Sequence, residues 1–168
     1  RYDKLHYLPR LVNFDGFAGQ RLLEVGCGVG IDLVRFAAGG AQVTGIDLSE
    51  TALDLARANF AQKGLSAEIE QMNGAALAFP DDCFDVVYAH GVLQYTTDPH
   101  SMIAEIYRVL RPGGQAILRV YNKYSWLSAL AKVTPAELEH VDAPGFATYS
   151  KRHFRAMLAA FSSVRIVP

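Results

Sequence analysis

The sequence is poor in cysteine, with two among 168 residues, and in tryptophan, with one. Cys27 and Cys83 form no C-x-x-C pair and the histidines do not cluster, which argues against a zinc site and against a disulfide framework. No metal is expected. Charge of one sign is also lacking. The formal net charge is −1 and the pI about 6.6, so the electrostatic footprint of a nucleic-acid or anionic-membrane binder is missing. No apolar run reaches about 18 residues, so no transmembrane helix is expected. The polar start Arg1-Tyr2-Asp3-Lys4 lacks a signal-peptide core. A cytoplasmic chain that touches neither nucleic acid nor membrane is the expectation. The chain opens without methionine and stops at Pro168 after an apolar run, which is what a trimmed chain looks like.

What is present is an ordinary globular composition, 51% hydrophobic and 20% charged, in a length suited to one domain over residues 1–168. The most informative stretch is Leu22-Leu23-Glu24-Val25-Gly26-Cys27-Gly28-Val29-Gly30. Residues 21–25 read as a buried strand, three glycines follow at once, and from Ile31 the apolar spacing becomes helical. Such a turn lets backbone approach a ligand closely. The unpaired first amides of the helix and its dipole favour a polar or anionic group there.

Downstream, strands and helices alternate. Strands are expected at 41–46, 67–71, 84–89, 115–120 and 163–167, with helices at 31–38, 51–63, 99–110 and 150–160. Ser49 is the expected N-cap of the second helix and Gly64 its stop. Residues 111–114, Arg-Pro-Gly-Gly, read as a turn. This alternation predicts a doubly wound α/β, Rossmann-like sheet, mostly parallel, of about six strands with helices on both faces. Ligands of such sheets lie beyond the carboxyl ends of the strands. The Gly26 turn, Asp47, the loop from Met72 and the loop from His90 all fall at those ends. Residues 1–20 read as an N-terminal cap and 121–149 as a lid.

The glycine pattern departs from the dinucleotide fingerprint G-x-G-x-x-G, because the sixth place holds Ile31 and the third glycine comes early, at Gly30. Four segments in order, residues 22–30, 44–49 (Thr-Gly-Ile-Asp-Leu-Ser), 84–88 (Phe-Asp-Val-Val-Tyr) and 108–114, resemble the motifs of class I S-adenosylmethionine (SAM)-dependent methyltransferases. The loop Ala78-Phe79-Pro80-Asp81-Asp82 before Phe84 is similar to the small-molecule "type 11" group. The resemblance covers about residues 21–120. It implies SAM as cofactor, S-adenosylhomocysteine as product and a small-molecule acceptor. The family's usual final antiparallel strand is missing from this reading.

The resemblance assigns cofactor contacts to Glu24, Gly26, Cys27, Gly28, Gly30, Asp47, Leu48, Asn73, Gly74, Ala75, Ala89 and His90. Asp47 would accept hydrogen bonds from the ribose hydroxyls. Asn73 stands where relatives carry Asp, and its side-chain carbonyl would face the adenine amino group. Ala89 and His90 would offer carbonyls to the SAM amino group. Each has a plainer alternative: Glu24 as a loop support, Cys27 as a snug small residue, His90 as a hydrogen-bonding residue. Candidates for a catalytic role are His90, Gln94 and Tyr95. Tyr121, Asn122, Tyr124 and Trp126 would line an acceptor pocket suited to a small aromatic or apolar molecule, or else pack the lid. Tyr2 and Tyr7 would close over the cofactor or else simply pack. Asp85 and residues 111–114 read as structural. Two other classes stay open at this point, a nicotinamide-dependent oxidoreductase and a SAM-binding protein without turnover.

Overall fold

A computed structural model of the chain describes residues 11–124 and 146–167. A short 3-10 turn, Phe14–Phe17, precedes β1 (Arg21–Val25), α1 (Ile31–Ala38), β2 (Gln42–Asp47), α2 (Glu50–Lys63), β3 (Glu68–Gln71), β4 (Phe84–His90), α3 (Pro99–Val109), β5 (Leu110–Arg119) and α4 (Lys151–Met157). The five strands form one sheet in the order β3-β2-β1-β4-β5. All the pairings are parallel.

Side chains alternate across a strand, so each strand feeds both faces. Leu22, Val43, Val86 and Tyr88 pack with Leu33 and Phe36 of α1 and Leu53 and Phe60 of α2. Leu23, Val25, Val87 and Ala89 pack on the opposite face with Met102, Ile103 and Ile106 of α3 and Phe154 of α4. Helices therefore cover both faces, as a parallel sheet requires. Strand order reverses between β1 and β4, which opens a crevice beyond their carboxyl ends.

Local chemistry sets the boundaries. The Ser49 hydroxyl accepts from Ala52 N–H, and Gly64 ends α2 in the left-handed conformation at φ 63°. Asp98 caps α3 through Ser101 N–H, with Pro99 in its first turn. β3, Glu-Ile-Glu-Gln, is the short charged edge strand.

Three expectations are corrected. β5 does not begin at residue 115: Leu110 is extended and pairs with Phe84, and an irregularity between Phe84 and Val86 absorbs residues 111–114. Asp85 anchors this step by accepting from Arg21 N–H and pairing with Arg111. Residues 163–167 form no strand, so the described sheet has five strands, not six. Helix α4 also stops at Met157 rather than near 160. The expected cap residues 1–10 with Tyr2 and Tyr7, and most of the lid including Trp126, lie outside the described residues.

The loop between β3 and β4 is tied down by Arg108. Its guanidinium donates to the Leu77 and Phe79 carbonyls at 3.0 and 2.9 Å and pairs with Asp81 and Glu105, both at 2.7 Å. Glu105 in turn accepts from Leu77 N–H at 2.8 Å. Its bond to Arg108, with smaller help from Leu77 N–H, holds the Glu105 carboxyl below its ordinary value. A depressed native pKa stabilises above the ordinary glutamate value, and that stabilisation disappears as pH falls through the native pKa. An Arg108→Met variant is expected to be less stable than its parent at neutral pH. The gap should narrow as pH is lowered below the ordinary glutamate value. Urea midpoints at the two pH values check this, and a gap that stays constant would contradict it.

Candidate functional site

The site is built where β1, β2 and β4 end. After Val25 the chain turns sharply, with Gly26 and Cys27 N–H both donating to the Ile46 carbonyl at 2.8 and 2.9 Å. Gly26, Gly28 and Gly30 all have positive φ, at 70°, 54° and 75°. Their surroundings differ. A Cβ on Gly26 would collide with Val92 of the loop after β4, and one on Gly30 would lie 3.1 Å from Ala56 Cβ on α2. A Cβ on Gly28 would meet no protein atom within 4 Å. Gly26 and Gly30 are thus close-packed within the fold, and Gly28 faces open space at the mouth of the crevice.

Asp47, the last residue of β2, is tied to this turn. Gly28 N–H donates to its Oδ2 and Ser49 N–H to its Oδ1, each at 2.9 Å. A carboxylate has about four acceptor positions, so these two bonds fix its orientation without saturating it. Leu48 beside it is 68% exposed, a large apolar side chain at the site's edge. Asn73 Oδ1 accepts from Ala75 N–H at 3.0 Å, so part of its acceptor capacity holds its own turn. Gly74 is buried, and a Cβ there would lie 2.6 Å from Val25 Cγ1, so its place is set by packing as well. Ala75 is half-buried. Glu24 is 2% exposed within β1. Cys27 is buried, and burial, with Glu24 and Asp47 adding to it, pushes its thiol up to about 12. Such a thiol stays protonated at neutral pH and is a packing group, not a nucleophile.

The loop after β4 carries the other candidates. Ala89 is in the core. The Gln94 side chain is buried, and its Oε1 has no hydrogen-bond partner among the described residues. Tyr95 packs tilted against Phe146 at 5.6 Å between ring centroids, and Tyr121 meets the same Phe146 edge-on at 5.3 Å. Burial, with Tyr121 adding to it, raises the Tyr95 phenol above its ordinary value, which keeps it protonated near neutrality. Tyr95 and Tyr121, from separate segments, therefore share one aromatic cluster. Asn122 and Tyr124 do not join it among the described residues: Asn122 Oδ1 accepts from Tyr124 N–H, and Tyr124 is 75% exposed. They line instead an open groove of about 510 Å³ with Ser150, Lys151 and Arg152, which includes neither Gly28 nor Asp47.

His90 lies in a buried polar chain that pattern reading did not find. Its Nδ1 is 2.9 Å from Asp32 Oδ2, its Nε2 is 2.6 Å from Arg119 Nη1, and the Tyr88 hydroxyl donates to the same Asp32 oxygen at 3.3 Å. A carboxylate only accepts and a guanidinium only donates. Nδ1 therefore carries the proton and Nε2 accepts from Arg119. Both ring nitrogens of His90 are thus engaged in hydrogen bonds. One signal for this chain was available in the sequence. Asp32 interrupts the apolar face of α1, and Arg119 interrupts the apolar run of β5 directly opposite His90 in the sheet register.

The sequence profile of the methyltransferase domain family matches residues 23–118. The chain is 39% identical over 110 residues to a "Ubiquinone biosynthesis O-methyltransferase" of Pseudomonas fluorescens, a match that covers 64% of this chain and 47% of the relative. It spans about half the length of the curated relatives it matches. Among solved structures it is similar to an S-adenosylmethionine dependent methyltransferase from Mesorhizobium loti. That match has a TM-score of 0.64 at 29% identity and covers 72% of this chain and 56% of the other. The fold is also that of a SAM-dependent methyltransferase from Methanosarcina mazei, with a TM-score of 0.73 at 24% identity, over 90% of this chain and 82% of the other.

Proposed function

The chain belongs to the methyltransferase domain family, with S-adenosylmethionine as its cofactor, and from that premise we propose that it moves a methyl group to an oxygen of a small-molecule acceptor. The observation that carries this reading is the pairing of Gly28 with Asp47. An open-faced glycine at the switch point donates its amide to a carboxylate that keeps acceptor positions to spare. That geometry fits an adenosyl group: Asp47 would accept from the ribose hydroxyls, Leu48 would pack on the adenine, and Gly28 would leave room for the backbone to approach. Glu24, Gly26, Cys27 and Gly30 would support this cradle, and the Asn73-Gly74-Ala75 turn would border the adenine. Ala89 and His90 would border the methionine part through their backbone.

When bound, SAM supplies a methyl group already activated by its sulfonium. What remains for the protein is to hold the acceptor oxygen in line and to keep water out. Tyr95 and Cys27 are both held in a state unsuited to removing a proton at neutral pH. An acceptor that ionises readily fits such a site. The names of the curated relatives favour transfer to oxygen. A nicotinamide oxidoreductase gains no support, since Ile31 occupies the place of the third fingerprint glycine. Turnover of SAM to S-adenosylhomocysteine with an acceptor panel separates an enzyme from a silent binder.

Asp47→Ala is expected to weaken SAM binding at least about tenfold, or roughly 1.4 kcal/mol. Calorimetric titration of the folded variant checks this, and unchanged affinity would remove Asp47 from the ribose role.

A further inference from the structure

The C-terminal part of the chain carries charge of one sign. Residues 111–124 and 146–167 hold seven lysines and arginines and no aspartate or glutamate, so all 17 acidic residues lie elsewhere. The net charge of −1 hides this asymmetry. Two of these cations, Lys151 and Arg152, are exposed and line the groove of about 510 Å³ with Asn122, Tyr124 and Ser150. Among the described residues neither pairs with a carboxylate. Arg57 and Arg108, by contrast, each hold two carboxylates.

The walls of the groove are tied together. Asn122 and Tyr149 are bridged in parallel, with Tyr149 N–H donating to the Tyr121 carbonyl at 2.9 Å and Lys123 N–H to the Tyr149 carbonyl at 3.0 Å. The neutral side chains add donors. Asn122 Oδ1 accepts from Tyr124 N–H and Ser150 Oγ from His153 N–H, each at 3.1 Å. Backbone thus engages both oxygens, and the Asn122 amino group and the Ser150 hydroxyl hydrogen remain to donate. The Tyr124 hydroxyl is a third neutral donor, on a side chain that is 75% exposed. The groove is therefore lined by three neutral donors and two cations, with no carboxylate among its lining residues.

We propose that this groove binds a soluble phosphate monoester, at a place separate from the crevice of Gly28 and Asp47. Such an ester carries close to two negative charges and three acceptor oxygens, which matches two cations and a set of neutral donors. Lys and Arg make charge-assisted bonds to phosphate, and the Arg fork takes two oxygens at once. A carboxylate, with one charge and two oxygens, satisfies the same set less well. The inference stands apart from the methyl-transfer reading, and its test needs neither cofactor nor turnover.

Phenyl phosphate, benzoate and phenol are titrated separately into the chain and followed by NMR. The titrations run at about pH 8, where the phosphate is a dianion, in about 0.15 M salt, which screens charges more than about 8 Å apart. Phenyl phosphate is expected to bind saturably and at least about tenfold tighter than benzoate, with phenol weaker still. Replacing both cations, Lys151→Gln with Arg152→Gln, is expected to weaken phenyl phosphate at least about tenfold. The melting temperature should stay as it is, since both side chains are exposed. Lys63→Gln, which removes an exposed cation from α2, should leave phenyl phosphate binding unchanged. No saturable binding, equal affinity for benzoate, a double variant that binds as the parent does, or an equal loss with Lys63→Gln would each overturn the proposal. So would association with phosphatidate-bearing vesicles by a chain that ignores phenyl phosphate, which would assign the groove to a lipid surface instead.

Discussion

Gly28→Val is expected to reduce SAM affinity by about a hundredfold or more, roughly 2.7 kcal/mol, while the domain stays folded. Valine at φ 54° is strained by its branched Cβ, at a cost of about 1–3 kcal/mol. The strain is relieved by moving the backbone, and that breaks the bond from Gly28 N–H to Asp47 Oδ2. The new side chain also projects into the open space that the adenosyl group is expected to fill. The neighbouring glycines should behave differently. Valine at Gly26 meets Val92, and valine at Gly30 meets Ala56 and Phe60, so both variants should lose stability first. Thermal melts set beside calorimetric titrations of the three variants separate the two kinds of loss. A Gly28→Val protein that binds SAM normally would show that this turn is not the ligand's cradle.

The second large effect is on stability. Asp32→Ala is expected to cost about 3–5 kcal/mol, the usual penalty for breaking a buried pair by removing one partner. Asp32 is 0% exposed, and its loss leaves the His90 Nδ1–H and the Tyr88 hydroxyl without their carboxylate. Each buried polar group left unmatched costs about 1–3 kcal/mol. Asp32→Asn keeps an acceptor oxygen and should lose less than half as much. Urea unfolding at neutral pH measures both. A loss under about 1 kcal/mol for the alanine variant would mean that the network is not held together by this carboxylate.

The half of the chain around the first three strands was legible because its signals are local. Buried β1, the glycine turn, the Ser49 cap and the Gly64 stop are each written within a few residues. The doubly wound parallel sheet then follows from the alternation of elements. The start of β5 was not legible, because Pro112-Gly113-Gly114 is turn chemistry by sequence and only the pairing of Leu110 with Phe84 makes it an irregular strand. Residues 163–167 alternate like a strand, but alternation is no use without a neighbour to pair with, and none is found among the described residues.

The site shows the same division. Gly28 and Asp47 are placed by strand ends, so pattern reading finds them. Asp32, His90 and Arg119 are joined across 58 and 29 residues: the polar breaks in α1 and β5 show locally, but which residue pairs with which does not. Of the residues expected to line an acceptor pocket, Tyr121 lies in the aromatic cluster, whereas Asn122 serves its own turn and Tyr124 points largely to water. Conformation at the end of β5 decides that, not residue type.

In the proposed complex an adenosyl group lies across the ends of β1 and β2, oriented by the Gly28 backbone and the Asp47 carboxylate. Its most direct test is calorimetric titration of this chain with S-adenosylhomocysteine and, separately, with NAD. One-to-one binding of S-adenosylhomocysteine, weakened by Asp47→Ala, is expected, with no measurable heat from NAD. Preferential binding of NAD, or S-adenosylhomocysteine binding that is indifferent to both Asp47→Ala and Gly28→Val, would contradict it.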